Sequence, residues 1–277
     1  VQGAYQIKPP LPFTPGGEVA GEVVAVGRDV VGVAVGDRVL AMSWLGGFAT
    51  HAVVPARSVV PIPGDLTFGQ AAGLVQSYGT MLFSFTRRMQ LRAGEWVLVL
   101  GAGGGIGLAA IDLAKHLGAK VIAAASSPDK LEAATRAGAD ATIAYEAEDL
   151  KARARELSGG GVDVVVDPVG GRFAEVALRS LGWMGRYLVI GFAGGDIPSL
   201  PANQVLLNNR TVVGIDWGAW TMRDPDGNRL LLDDLMALAA DGEIHPVEPT
   251  PYPLDDVVRA LTDLQERRVG GKVVLVP

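Results

Sequence analysis

The chain has 277 residues, of which 49% are hydrophobic and 19% charged, a balance that excludes a disordered chain and allows a large core. The formal net charge is −6, and no run of lysine and arginine is longer than a pair, which argues against nucleic acid as a partner. The lack of cysteine excludes disulfides and thiolate zinc sites, and the charge-free apolar stretch between Glu95 and Asp112 is too short and too glycine-rich to span a membrane.

The first eighty residues are predicted to form a small β-rich unit. Residues 1–15 carry four prolines and form an irregular, partly extended lead-in. The segments that follow are short and closely spaced, which favours antiparallel strands over a βαβ unit; they are Glu18–Val26, Val30–Ala41 and Phe48–Val54. The pattern Thr67-Phe-Gly-Gln70 matches a capping box and predicts a helix from Ala71 to about Ser84.

From Trp96 onwards, apolar runs alternate with segments of helical periodicity. The predicted strands are Trp96–Leu100, Lys120–Ala125, Ala141–Ala144, Val162–Asp167, Arg186–Phe192 and Thr211–Ile215. The predicted helices between them are Gly105–Leu117, Pro128–Ala137, Ala147–Leu157 and Phe173–Leu181. This alternation predicts an α/β fold with a parallel sheet covered on both faces, and six strands with a glycine-rich turn after the first fit the doubly wound Rossmann fold.

The alternation of strands and helices ends near the C-terminal end of the chain. Two amphipathic helices and a terminal strand are predicted there, at Arg229–Ala240, Asp255–Arg268 and Val273–Val276. The sequence therefore predicts two domains. Residues 81–216 form the Rossmann domain, and residues 1–80 together with 217–277 form a β-rich domain.

The turn after the first parallel strand is the strongest functional signal in the chain. Its pattern is Ala102-x-Gly104-x-x-Gly107, so alanine replaces the first glycine of G-x-G-x-x-G. A helix that starts directly after a strand turns its first N–H groups toward a pyrophosphate, which makes Gly104, Gly105 and Ile106 the candidate phosphate contacts. The alternative is a glycine-rich loop without a ligand.

The end of the second parallel strand indicates which dinucleotide binds. An NAD site places Asp or Glu about 20 residues beyond the glycines, whereas Ser126 stands at this position, followed by Ser127 and then Lys130. Two hydroxyls, helix N–H groups and one ammonium attract a 2′-phosphate, which a carboxylate would repel. We therefore predict NADP(H). The alternative is that Ser127-Pro128 merely caps a helix and that Lys130 is solvated.

Asp167 ends the fourth parallel strand and precedes Pro168 and Gly170-Gly171. A carboxylate at this place in the sheet is either a catalytic group or a cap for the next turn. We favour the cap, because aspartate commonly accepts hydrogen bonds from backbone N–H groups one to three residues further on.

Several motifs occur in one order along the whole chain. They are Pro12-Phe-x-Pro-Gly-Gly-Glu-x-Ala-Gly21, Val35-Gly-Asp-Arg-Val39, Gln70-Ala-Ala72, the turn Ala102–Gly107 and the ending Gly271-Lys-Val-Val-Leu-Val-Pro277. In this order the chain resembles the zinc-free quinone oxidoreductases of the medium-chain dehydrogenase/reductase superfamily. The resemblance implies that the β-rich domain is GroES-like and, because the family's opening β segment is missing from this sequence, N-terminally truncated.

The resemblance also bears on metal binding. Zinc-dependent relatives carry histidine in a Gly-His-Glu triplet, whereas this chain has Gly16-Gly17-Glu18. Between Leu40 and Phe48 there are neither cysteines nor room for the lobe that holds their structural zinc. We therefore expect no metal, and acceptors that take up hydride without a Lewis acid.

Further site residues are implied by the resemblance alone. Thr80 matches a threonine near the nicotinamide, and Tyr145 matches a tyrosine beside the adenosine phosphate region. Gly191 and Phe192 match the wall of the nicotinamide ribose, and the carboxyl end of a parallel strand is where ligands bind in such sheets. Tyr5 matches a tyrosine at the mouth of the substrate cleft, and an ordinary packing role for it is the alternative.

These features predict a metal-free oxidoreductase that transfers hydride from NADPH to a quinone or another conjugated carbonyl. The alternatives are an enoyl-thioester or alkenal reductase on the same scaffold, and a non-catalytic NADPH-binding protein. The resemblance implies a homodimer through the sheet edge near Thr211–Trp217, because an apolar edge strand is a liability when exposed. We expect a cytoplasmic protein with a small-molecule substrate and neither nucleic acid nor membrane as a partner.

Overall fold

The computed structural model describes residues 9–277, and its secondary structure follows the predicted alternation. The strands are β1 (Glu18–Glu22), β2 (Arg38–Met42), β3 (Val59–Pro61), β4 (Trp96–Leu100), β5 (Lys120–Ala125), β6 (Ala141–Ala144), β7 (Val162–Asp167), β8 (Leu181–Val189), β9 (Thr211–Gly214), β10 (Thr250–Pro253) and β11 (Val273–Val276). The helices are α1 (Phe68–Phe83), α2 (Gly105–His116), α3 (Pro128–Arg136), α4 (Leu150–Leu157), α5 (Phe173–Ser180), α6 (Ala202–Leu206), α7 (Trp217–Arg223), α8 (Pro225–Ala240) and α9 (Val257–Gln265).

The described chain divides into two compact units. One consists of residues up to Gln76 together with Glu248–Pro277, and the other of Ser77–Val247. The predicted domain division stays a prediction, and the compact units differ from it mainly in residues 217–247, which the structure groups with the parallel sheet. Leu231 and Leu235 of α8 are fully buried, so this segment belongs to a hydrophobic core.

The unit of residues 77–247 contains the parallel sheet, in the strand order β6-β5-β4-β7-β8-β9. The order reverses between β4 and β7, as in a doubly wound fold, which confirms the predicted fold class. Val97–Leu100 of β4 are completely buried, because helices cover both faces of the sheet. This is why the central strands are continuous apolar runs rather than alternating patterns.

The fifth strand of this sheet was predicted with the wrong bounds. The prediction was Arg186–Phe192, but β8 spans Leu181–Val189 and its pairing with β7 shifts register between Val162 and Val164. Glycines and an exposed Trp183-Met184 pair hide the strand signal at its beginning. After Val189 the chain leaves the strand and forms the loop that carries Gly191 and Phe192.

The other unit holds an antiparallel sheet, β1-β2-β3, and the parallel pair β10-β11. The strand predicted at Phe48–Val54 is wrong: this stretch consists of bends and irregular chain, and Val53 is fully exposed. The third strand of this sheet is instead β3, which lies in a stretch where no strand was predicted. These strands are short and mostly only half-buried, so their apolar pattern is weak.

The capping box at the start of α1 is confirmed. The Thr67 N–H donates to Gln70 Oε1 and the Gln70 N–H donates to Thr67 Oγ1, both over 3.0 Å. The helix begins at Phe68, directly after its cap, rather than at Ala71. Over the described range 9–277, none of the helices is both long and apolar enough to span a membrane.

Candidate functional site

The glycine turn after β4 has the geometry of a phosphate cradle. Gly101 has a φ of +59°, and the Gly104 N–H donates to the Gly101 carbonyl over 2.9 Å to close the turn. Helix α2 begins at Gly105, and the first intrahelical bond runs from the Leu108 N–H to the Gly104 carbonyl. The N–H groups of Gly105 and Ile106 cannot be reached by any carbonyl of the helix itself, so they are available to an anion.

Close packing explains why this turn needs glycine. A Cβ on Gly107 would lie 2.4 Å from the Gly101 carbonyl oxygen and 2.6 Å from Ala102 Cα. Ala102 fits where the usual pattern has glycine because Gly101, one residue earlier, takes the left-handed conformation. The role of Gly101 was missed at the sequence level, although the residue precedes the motif directly.

The residues predicted to select the cofactor lie next to this turn. A Cβ on Gly103 would be 2.6 Å from Lys130 Cβ, so the first part of the Lys130 side chain packs against the glycine turn. Ser126 is exposed at the end of β5, and Ser127 is the N-cap of α3 but makes no capping bond with its side chain. Ser127 therefore occupies the cap position through its backbone, and the role of these residues toward a 2′-phosphate stays a prediction.

Tyr145 follows β6, the neighbour of β5, and is fixed there by an aromatic partner. Its N–H donates to the Ala125 carbonyl over 3.3 Å, and its ring centroid lies 4.3 Å from that of Phe173. The Arg172 guanidinium lies 4.7 Å from the Phe173 centroid and pairs with Glu146. The structure thus brings Tyr145 to the same edge of the sheet as Ser126.

The loops after β7 and β8 are joined by backbone hydrogen bonds. The Gly191 N–H donates to the Asp167 carbonyl over 3.4 Å, and the Gly194 N–H donates to the Val169 carbonyl over 2.8 Å. The Phe192 ring lies beside Gly170, where a Cβ would be 3.0 Å from Phe192 Cδ1. Gly191 and Phe192 therefore lie at the carboxyl end of the sheet, as predicted.

Asp167 is a turn cap, as we favoured. Its Oδ1 accepts hydrogen bonds from the N–H groups of Val169 and Gly170, both over 2.8 Å, and its Oδ2 accepts one from the Tyr187 hydroxyl. Burial and the neighbouring carboxylate raise the pKa of the Tyr187 phenol. The partnership with Tyr187 was not predicted, because it depends on the register between two strands.

Two further buried residues, Thr80 and Trp217, lie in α1 and shortly after β9. Thr80 is almost completely buried in α1, and its carbonyl accepts a hydrogen bond from Ser84 Oγ over 2.7 Å. Trp217 follows β9 and was not predicted as a site residue; a Cβ on Gly79 would lie 2.9 Å from its ring. The Trp217 Nε1 is buried and finds no hydrogen-bond partner in the described part of the chain. Tyr5 lies outside the described residues.

The described side chains do not form a donor set for a metal. Within residues 9–277, no three or more side chains of His, Cys, Asp or Glu are grouped so that they could hold a metal ion. Gly17, where zinc-dependent relatives carry histidine, lies against backbone: a Cβ there would be 3.6 Å from the Trp44 carbonyl oxygen.

The fold and the glycine turn define the class of the protein as a dinucleotide-binding oxidoreductase with a Rossmann unit and a GroES-like unit. The family described as a zinc-binding dehydrogenase matches residues 105–231, and the alcohol dehydrogenase GroES-like domain matches residues 1–64. A quinone oxidoreductase-like protein 2 homolog of Nematostella vectensis is 40% identical over 99% of this chain and 76% of its own length. The chain therefore belongs to the quinone oxidoreductase-like family of the medium-chain dehydrogenase/reductase superfamily, which confirms the resemblance.

Solved structures agree with this assignment. The Escherichia coli quinone oxidoreductase complexed with NADPH has a TM-score of 0.88 and 30% identity, over 98% of this chain and 85% of that one. The CurK enoyl reductase has a TM-score of 0.85 and 26% identity, over 95% of this chain and 79% of that one.

Proposed function

We propose that this protein is an NADPH-dependent, metal-independent reductase whose acceptor is a quinone or another conjugated carbonyl. The observation that carries the proposal is the combination of a glycine cradle with a second strand that ends in serines and a lysine. The Escherichia coli relative, whose structure contains NADPH, supports the choice of cofactor. Bound NADPH supplies the hydride, and the protein holds and orients it.

The residues of the glycine turn and those after β5 have distinct roles in this proposal. The N–H groups of Gly105 and Ile106 hold the pyrophosphate at the start of α2, and Gly104, whose N–H closes the turn, lets the phosphates approach the backbone. Ser126 and Lys130 hold the 2′-phosphate, because a positioned ammonium and free hydroxyls bind a dianion where a carboxylate would repel it.

The remaining candidates bind the rest of the cofactor. Tyr145 borders the adenosine phosphate, while Gly191 and Phe192 form the wall for the nicotinamide ribose. Thr80 is assigned to the neighbourhood of the nicotinamide. No side chain is assigned as a general acid, so water or a hydroxyl delivers the proton to the reduced acceptor.

Metal independence rests on the donor set. The chain has no cysteine, and Gly17 stands where zinc-dependent relatives carry histidine. Without a Lewis acid to polarise an alcohol or carbonyl oxygen, conjugated acceptors are favoured, because they accept hydride at carbon with less activation of oxygen. Stoichiometric zinc that remains after mild chelation of the active protein would contradict this part of the proposal.

The decisive experiment is a screen of NADPH oxidation with quinones, enones and enoyl thioesters as acceptors. The proposal expects turnover with a quinone or enone and a higher kcat/KM with NADPH than with NADH. The similarity to the CurK enoyl reductase favours enoyl thioesters as the second candidate, and preferential turnover of these would decide for it. Stoichiometric NADPH binding without any turnover would instead favour a non-catalytic binding protein.

The quaternary structure is part of the proposal. Strand β9 is at the edge of the parallel sheet, and Val212 on it is 38% exposed. An isologous contact between two such edges would extend the sheet across a two-fold axis and cover this strand. We propose a homodimer, and a monomeric mass at micromolar concentration would contradict it. A cytoplasmic location stays a prediction.

A further inference from the structure

The carboxylate of Asp167 is buried and has no function as a ligand in the site described so far. The residue is 2% exposed, at the last position of β7. Its Oδ1 fixes the following turn by accepting from the N–H groups of Val169 and Gly170, each over 2.8 Å. Its Oδ2 accepts from the Tyr187 hydroxyl, so one buried carboxylate connects the turn to the neighbouring strand.

Tyr187 is 1% exposed and lies in β8, where it pairs with Val165 of β7. It is one of the largest fully buried side chains of the described chain. Two residues after it β8 ends, and the loop with Gly191 and Phe192 begins. The hydroxyl therefore joins the base of this loop to the turn after β7.

The same turn also holds the loop through its backbone. The carbonyls of Asp167, Pro168 and Val169 accept hydrogen bonds from the N–H groups of Ile190, Ala193 and Gly194, over 3.0, 3.0 and 2.8 Å. Gly170 has a φ of +67° and lies in contact with the Phe192 ring. A change in the turn is consequently transmitted to the wall formed by Gly191 and Phe192.

We propose that Tyr187 and Asp167 are positioning residues for the nicotinamide half of the cofactor, because together they set the turn on which the Gly191–Phe192 wall is built. The inference rests on the proposed function, since it concerns how this chain holds NADPH. Neither residue is proposed to touch the reacting atoms.

A second buried tyrosine–aspartate pair of the same chain can be compared with Tyr187 and Asp167. Tyr78 is also buried, and its hydroxyl donates to Asp112 Oδ2 over 2.7 Å. The same carboxylate accepts from the His245 N–H over 2.6 Å, so this pair connects α1 and α2 with the segment after α8, whereas the Tyr187–Asp167 pair connects the turn and loop of the carboxyl edge. Burial and a carboxylate raise the pKa of both phenols, so the two pairs are chemically alike and differ in what they hold in place.

The test compares two ligands in one variant. Tyr187→Phe removes the hydroxyl, and the affinity is measured for NADPH and for adenosine 2′,5′-bisphosphate, which lacks the nicotinamide half. We expect NADPH to bind about tenfold more weakly and the bisphosphate to bind within about twofold of wild type. Tyr78→Phe is the matched control. Both variants should lower the thermal stability, but Tyr78→Phe should leave the ratio of the affinities for NADPH and the bisphosphate unchanged.

A second measurement uses the unaltered protein and does not depend on the folding of a variant. Hydrogen exchange at the N–H groups of Val169, Gly170 and Gly194 should become slower with NADPH and remain unchanged with the bisphosphate. The inference would be overturned if NADPH did not slow hydrogen exchange at these N–H groups. It would also be overturned if Tyr187→Phe weakened the binding of both ligands equally, or weakened the binding of neither. If the unaltered protein binds neither ligand, the proposed function itself has failed.

Discussion

At the amino end of the parallel sheet, carboxylates of this chain accept hydrogen bonds from strand N–H groups, whereas at the carboxyl end a glycine turn leaves helix N–H groups open to a ligand. Asp163 accepts from the Trp96 N–H and Asp140 accepts from the Val121 N–H, both over 2.7 Å. Glu95 pairs with Arg186 over 2.8 Å, and both side chains are largely buried. The carboxylates at the amino end therefore serve the fold.

The carboxyl end is arranged for anions. Gly101, Gly170 and Gly171 all take positive φ there, and the N-cap of α2 is Gly104, which has no side chain that could cap the first N–H groups of the helix. Asp167 is the exception at this end, since its carboxylate is buried and accepts hydrogen bonds from donors of the same chain. The comparison teaches that the proposed function depends on the open donors of one edge rather than on the fold as a whole.

The largest expected effect comes from a substitution that places a side chain inside the glycine turn. In Gly107→Ala the new Cβ would be 2.4 Å from the Gly101 carbonyl oxygen, so the turn and the start of α2 must separate. We expect NADPH affinity to fall by at least about a hundredfold and stability by about 2 kcal/mol. Titration of NADPH binding and urea unfolding measure the two quantities.

The matched control lies at the amino end. Gly94 has a φ of +84° and open space around its Cβ position, so Gly94→Ala should cost about 1 kcal/mol of stability through backbone strain alone. NADPH affinity should be unchanged in this variant. Equal losses of affinity in both variants would mean that the two ends of the sheet do not differ in the way described.

The next effect concerns the cofactor preference. Lys130 packs against the glycine turn and is only half-exposed, and hydrogen bonds to charged groups are worth about 1.5–3 kcal/mol, with exposure favouring the lower end. Lys130→Ala should weaken NADPH about tenfold and leave NADH nearly unchanged. Ser126→Asp should move the preference toward NADH, because it adds a carboxylate that repels the 2′-phosphate and accepts from a ribose hydroxyl.

The ratio of kcat/KM for the two cofactors measures this preference. Lys115→Ala, which removes a lysine paired with Asp140 at the amino end, should leave the ratio unchanged. A wild-type preference for NADH would refute the interpretation of Ser126 and Lys130. Equal losses with both cofactors in Lys130→Ala would show that this lysine supports only the fold.

The sequence predicted the parallel sheet more accurately than the antiparallel one, for a physical reason. The strands β4, β5, β6 and β7 were predicted with their observed bounds, because strands buried on both faces are continuous apolar runs. The strand at Phe48–Val54 was wrong, because short, half-exposed strands resemble loops with apolar residues. Helix α7 was missed although Asp216 caps it, accepting from the Ala219 N–H over 2.9 Å.

For the candidate site, the sequence predicted the residues that act through the backbone or through local spacing. The glycine turn, Ser126 and Lys130 were singled out in this way, because a strand, a turn and a helix follow each other directly, and their contacts with the cofactor stay predictions. The bond between Asp167 and Tyr187 was not found, because the two residues are twenty positions apart and meet only through the pairing of two strands. The resemblance supplied Thr80 and Tyr145, which no local pattern singles out.

A smaller effect is expected from the amino-end carboxylate of Asp140. Burial raises the pKa of this group, but hydrogen bonds from Lys115 and the Val121 N–H outweigh burial and hold the pKa below its ordinary value. A lowered pKa means that the stabilisation is present at neutral pH and is lost as the pH falls through and below about 4. Asp140→Asn should therefore cost about 1 kcal/mol at pH 7, with allowance for partial exposure, and less at pH 3.

Urea unfolding at the two pH values measures this dependence, and NADPH titration at pH 7 provides the comparison with the other end of the sheet. The affinity for NADPH should remain that of wild type. A loss of affinity comparable to that of Lys130→Ala would show that the amino end also supports the ligand. A loss of stability that is independent of pH would mean that the charge of Asp140 contributes nothing.

The smallest effect is expected at Met184, near the amino end of β8. This residue is 59% exposed and has a φ of +58°, a conformation that costs an L-residue about 1–2 kcal/mol. Met184→Gly removes this strain but adds about 0.5–1 kcal/mol of chain entropy to the cost of folding. We expect a net gain of about 0.5 kcal/mol, seen as a rise of about 1–2 °C in Tm, with unchanged NADPH affinity. Gly185→Ala is the opposing control, since its Cβ would be 2.9 Å from Leu181 Cβ and should lower Tm. A lower Tm for Met184→Gly would mean that the chain entropy added by glycine outweighs the backbone strain that Met184 carries at this end of the sheet.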